Sequence, residues 1–117
     1  YTTLFRSVVV SLPQGGFSEA SPERPPIGLE RNPEFTEYEI PLQSGMRILA
    51  YTDGLVDPRN QRPSFESQPD VADWFAAAAA EGDRIGDLKS ALLERLGHGT
   101  DPNTLADDQT FLLLGYD

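Results

Sequence analysis

The chain has 117 residues, 38% of them hydrophobic, a formal net charge of −10, ten glycines, ten prolines and no cysteine. That length supports one modest core, and nine Lys and Arg are too few for the clustered basic surface that nucleic acid or an anionic membrane requires. The missing cysteine excludes disulfides, zinc–thiolate sites and thiol nucleophiles and is compatible with a reducing cytoplasm; no apolar run approaches the roughly 20 residues of a membrane span, and no signal pattern opens the chain.

Residues 1–7, Tyr1 to Ser7, read as the translation of a common short-read sequencing adapter and are set apart from fold reasoning. The competing reading is an edge strand built on Thr, Leu and Phe. On the preferred reading residues 8–117 are the natural part, begin in mid-strand and imply a missing N-terminal portion.

Val8, Val9 and Val10 form a β-branched run ending at Leu12-Pro13, and Gln14-Gly15-Gly16 turns the chain before Phe17 resumes, which predicts a hairpin. Ser18 to Pro26, with three prolines and three charges, reads as a surface loop. From Phe35 to Leu42 the residues alternate, with Tyr38, Ile40 and Leu42 on one face and Glu37 and Glu39 on the other, predicting a half-buried strand. Ser44-Gly45 then turns the chain into a central strand, Met46 to Tyr51, expected to pair back on it.

Leu55 to Asn60 leaves the sheet, and Gln61 to Pro69 reads as loop. Asp70 is the expected cap of a helix carrying Val71, Trp74, Phe75 and Ala78 on one side, favoured by the alanines 76–80 and stopped at Glu81-Gly82. A second helix places Ile85, Leu88, Leu92 and Leu96 on one face and ends at Gly97. His98, the single histidine, has no His or Cys partner and reads as a solvated loop residue. Strands at both ends with helices between them predict an α+β domain whose two helices cover one face of an antiparallel sheet.

Two acidic motifs carry the chemistry. Asp53-Gly54 closes the apolar strand Arg47 to Tyr51, and Asp107-Asp108-Gln109-Thr110 opens the apolar run Phe111 to Leu114. Each is weak alone, because Asp-Gly is a common turn and Asp beside a strand often satisfies a local amide. Together, with the strands antiparallel and adjacent, they would bring Asp53 and Asp107 to one sheet edge. Carboxylates so placed repel unless a cation neutralises them, and hard oxygen ligands point to Mg²⁺ or Mn²⁺.

The run Arg47 to Asp57, preceded by Pro26-Ile27-Gly28-Leu29 and followed by Asp107 to Leu114, resembles the C-terminal half of the SpoIIE-like branch of bacterial PPM-type protein phosphatases, across about Val8 to Tyr116. The resemblance implies a β-sandwich flanked by helices, of which this chain is a part, with two Mn²⁺ or Mg²⁺ ions in the cleft between sheets. It implies removal of phosphate from phosphoserine or phosphothreonine on a regulatory partner similar to an anti-anti-sigma factor. Asp53 and Asp107 would be metal ligands, Gly54 would let the backbone pass close beside the metals, and Asp108 and Thr110 would hold the turn by hydrogen bonds. The nucleophile would be a water or hydroxide held between the metals, with no protein group acting as nucleophile.

The same resemblance places a further metal-binding aspartate in the missing N-terminal half. The chain is therefore expected to have little activity alone and to leave one core face and strand edges uncovered. Two other readings stand beside this one: a pseudophosphatase-like interaction module with vestigial carboxylates, and a complete small α+β domain with an incidental cation site.

Overall fold

The computed structural model describes residues 7–20, 31, 39–56, 65–81, 84–97 and 109–117. These form strands β1 (Ser7–Ser11), β2 (Phe17–Ala20) and β3 (Met46–Tyr51), a 3₁₀ turn over Asp53–Leu55, helices α1 (Gln68–Glu81) and α2 (Ile85–Arg95), and strand β4 (Phe111–Tyr116). The four strands make one antiparallel sheet in the order β2-β1-β3-β4. This is the α+β arrangement expected from the sequence, and it is the only sheet among the described residues.

The expected hairpin joins β1 to β2, with Ser11 opposite Phe17. Its turn is closed by the Gly15 amide donating to the Leu12 carbonyl at 3.0 Å, and Pro13 sits where a fixed φ favours the turn. Gly15 and Gly16 follow at φ of 100° and 82°, a backbone that L side chains rarely adopt. Strand β2 includes Ser18 to Ala20, which the proline-rich composition had assigned to a loop; pairing with β1 overrides the absence of alternation there.

A second correction concerns Phe35 to Leu42. Glu39 to Leu42 are not in a strand, and residues 35–38 lie outside the described residues. The physical reason is that β3 already has a neighbour on each edge, β1 along Arg47–Tyr51 and β4 along Met46–Tyr51, so no edge is left for a third partner. The turn at Ser44-Gly45 does form. The Met46 amide donates to the Gln43 carbonyl at 3.1 Å, and Gly45 has the positive φ of 89° that the third position of a type II turn needs.

Alternation divides the sheet. Val9, Leu49 and Tyr51, with Phe111 and Leu113, face the helices and join Leu55, Phe65, Val71, Ala72, Phe75, Leu88, Leu92 and Leu96 in one core. Helix α1 lies against β1 and β2, and α2 against β4. Each fully buried large side chain, such as Phe75 or Leu92, contributes about 1.5–3 kcal/mol. On the opposite face Val10 and Met46 are buried, whereas Leu112, Leu114 and Tyr116 remain 45%, 49% and 47% exposed.

Helix α1 begins two residues before Asp70. Ser67 caps it, its hydroxyl accepting from the Asp70 amide at 3.4 Å, and Asp70 occupies the first turn, where a carboxylate suits the helix dipole. The stretch before it is not simply loop, because Phe65 enters the core, stacks edge-on against Trp74 at 5.6 Å and lies under the Arg95 guanidinium at 4.6 Å. Helix α2 ends as the sequence predicts. Gly97 takes φ 70°, and its amide donates to the Glu94 carbonyl at 3.0 Å. Gly82, His98 and the aspartate pair at 107–108 lie outside the described residues.

Candidate metal centre

The chain reaches Asp53 along β3, whose Arg47, Leu49 and Tyr51 point toward the helices. Strand β4 runs antiparallel beside it, Tyr51 opposite Phe111, so the end of β3 meets the start of β4. Beyond that pair the ladder continues for one more step. The Thr52 amide donates to the Thr110 carbonyl at 3.0 Å, and the Thr110 amide donates to the Thr52 hydroxyl at 3.2 Å; that hydroxyl in turn lies 3.3 Å from the Thr110 carbonyl.

At Asp53 the extended conformation stops. Leu55 is wholly buried, and its insertion into the core draws the backbone into the 3₁₀ turn, closed by the Leu55 amide on the Thr52 carbonyl at 3.2 Å and the Val56 amide on the Asp53 carbonyl at 3.0 Å. Asp53 is left half-buried at the corner, between buried Thr52 and buried Gly54. From the opposing chain the Gln109 side-chain amide donates to the Gly54 carbonyl at 3.2 Å.

Beside this corner lies Tyr51, 1% exposed. Its hydroxyl makes no well-formed hydrogen bond, although the Ser7 side chain on the paired position of β1 interacts with it. Burial raises its pKa above the ordinary tyrosine value; the Ser7 side chain acts the other way, and the smaller effects of the Glu19 and Asp53 charges add to the rise.

Of the residues expected at the site, Asp53, Gly54 and Thr110 are described and converge. Asp107 and Asp108 lie outside the described residues. Thr110 takes part through its backbone, while the hydroxyl that binds across the junction belongs to Thr52. Neither Thr52 nor Gln109 was singled out from the sequence. The available signal was the antiparallel register, since placing Tyr51 opposite Phe111 makes Thr52 face Thr110.

In kind, Asp53 offers the carboxylate oxygen that a hard divalent cation takes, and the side chains that bond across this corner, Thr52 and Gln109, are neutral. Among the described residues, no group of three or more His, Cys, Asp or Glu could hold a metal ion.

A family model described as Stage II sporulation protein E (SpoIIE) matches residues 6–117. The chain belongs to the SpoIIE family. The match begins at Arg6, within the segment 1–7 set apart on sequence grounds, and Ser7 is buried in β1 opposite Tyr51. The phosphoserine phosphatase RsbP of Bacillus subtilis (strain 168) is 31% identical over 90 residues, covering 77% of this chain and 20% of its own length. The chain thus spans about a fifth of that relative. No solved structure matches the chain. No helix among the described residues is long and apolar enough to cross a membrane.

Proposed function

We propose that residues 8–117 are the C-terminal part of a PPM-type protein-serine/threonine phosphatase domain, dependent on Mn²⁺ or Mg²⁺ and acting on a phosphorylated regulatory protein of the anti-anti-sigma-factor type. The observation that carries this reading, in a chain of the SpoIIE family, is the junction of Thr52 with Thr110. It sets Asp53 beside the start of β4, and Asp107 stands two positions before Gln109, a span of at most about 7 Å of extended chain. The likeness to a phosphoserine phosphatase supports the substrate class.

In this reading Asp53 and Asp107 hold the ions, and Asp108 helps orient the ligands. Divalent ions, when bound, supply Lewis acidity toward water and the phosphoryl group. The chain's own contribution is positional: the rigid end of β3 presents Asp53, and the buried Leu55 keeps the turn from unwinding back into strand. The remaining ligands would come from the missing N-terminal half of the same domain.

The test uses the chain expressed with whatever precedes it in its reading frame. Mn²⁺ is expected to raise its melting temperature, and Asp53→Ala and Asp107→Ala are each expected to abolish both that shift and turnover of a phosphoserine peptide. Turnover retained in either variant removes that residue from the site.

A further inference from the structure

Asp53 is tied to the opposing chain on both of its sides. The residue before it, Thr52, is joined to Thr110, and the residue after it, Gly54, receives the Gln109 side chain at its carbonyl. Resting on the metal-site reading above, we propose that Gln109 is a positioning residue for Asp53: its side-chain amide is the second point of a clamp, the first being Thr52–Thr110, that fixes the carboxylate for a divalent ion.

The reason lies in what the other ties leave free. The turn at Asp53 is only three residues long, and 3₁₀ hydrogen bonds have poorer geometry than α-helical ones. Its middle residue is glycine, which has the greatest backbone freedom and no side chain to anchor. Buried Leu55, whose carbonyl accepts from the Phe65 amide at 3.1 Å, holds the far side of the turn, and between these anchors the Gly54–Leu55 peptide can still rotate and carry Asp53 with it. A bond to the Gly54 carbonyl removes that rotation.

Both points of the clamp lie on consecutive residues, 109 and 110, of the segment that immediately follows Asp107-Asp108. The clamp therefore links the two acidic motifs to each other rather than to the sheet in general. Position 109 holds a side chain with the reach and the neutral donor that the Gly54 carbonyl accepts. A glutamate of equal length has no donor at neutral pH and adds charge beside Asp53. A methionine has the length without the donor.

The experiment titrates Mn²⁺ by electron paramagnetic resonance into the chain expressed with its upstream sequence, comparing it with Gln109→Met, Gln109→Glu and Asp53→Asn. Groups that orient metal ligands typically change affinity by about 10–100-fold. Gln109→Met is expected to raise the Mn²⁺ dissociation constant by about tenfold, within that range, while lowering the metal-free melting temperature by only a few degrees. In the metal-free protein, amide exchange at Leu55 and Val56 should quicken, a readout that needs no ion. Gln109→Glu adds a charge that attracts Mn²⁺, so it is read by the same quickened metal-free exchange, which serves if the methionine variant does not fold.

Unchanged Mn²⁺ affinity in Gln109→Met, with binding lost in Asp53→Asn, overturns the positioning role and leaves the metal reading intact. Unchanged affinity in Asp53→Asn overturns the metal reading, and the positioning role with it.

Discussion

Thr52 and Thr110 exchange hydrogen bonds across the end of the sheet, the Thr52 amide giving to the Thr110 carbonyl at 3.0 Å and the Thr110 amide giving to the Thr52 hydroxyl at 3.2 Å. This side-chain acceptor carries the ladder one residue past the last regular pair, Tyr51 and Phe111. It brings Gln109 and Thr110 to the corner at Asp53.

Thr52→Val keeps the shape of the side chain and removes the acceptor. Thr52 is buried but Thr110 is exposed, so water can take over the freed Thr110 amide and the cost is about 0.5–1 kcal/mol. Thr52→Ser should restore most of this, and urea unfolding of the three proteins checks it.

Tyr51 predicts a pH dependence. Its folded pKa is raised, chiefly by burial, so the folded state holds the phenolic proton more tightly than the unfolded state does. That stability is fully present below the ordinary tyrosine pKa, about 10, and is lost as pH rises through the raised folded value. Tyr51→Phe should flatten the fall in stability above about pH 10 and, because the hydroxyl makes no well-formed hydrogen bond, change stability at pH 7 by less than about 1 kcal/mol. Denaturant melts between neutral and strongly alkaline pH decide this.

Gly115 has side chains packed close against it. A Cβ there would lie 3.0 Å from Ile85 Cγ1, 3.1 Å from Ile85 Cδ1 and 3.4 Å from Arg47 Cδ, where the first residue of α2 comes down on β4. Gly115→Val should cost about 1–3 kcal/mol by overpacking, and Gly115→Ala less. Pairing Gly115→Ala with Ile85→Val should recover part of the loss, since the relieved contact is with Ile85; thermal melts of the single and double variants measure the coupling.

Ser67→Ala removes the cap of α1. The bond is long, 3.4 Å, and exposed, so the expected loss is near 0.5 kcal/mol, the low end for such caps. Helix fraying at Gln68 to Asp70, followed by amide exchange, should rise.

Both helices were legible because their apolar residues recur at helical spacing, and α2 ends where Gly97 supplies the left-handed backbone. The first hairpin was legible because Pro13, Gly15 and Gly16 specify a turn almost without context. Residues 39–42 misled because alternation reports only that a segment could be half-buried in a sheet, and the two edges of β3 were filled by β1 and β4. Phe65 was hidden because a single aromatic within a polar stretch has no period to announce it.

At the candidate site, the sequence by itself marked Asp53 and Asp107 as strand-end carboxylates and placed the chain near a phosphatase family, because those properties reside in residue type and local order. Only the tertiary structure decided that β3 and β4 are neighbours, that Thr52 carries the ladder past its last pair, and that Gln109 reaches the Gly54 carbonyl. The physical reason is that strand partners are chosen by competition among all segments for a limited number of hydrogen-bonding edges. No stretch of sequence contains the outcome of that competition on its own.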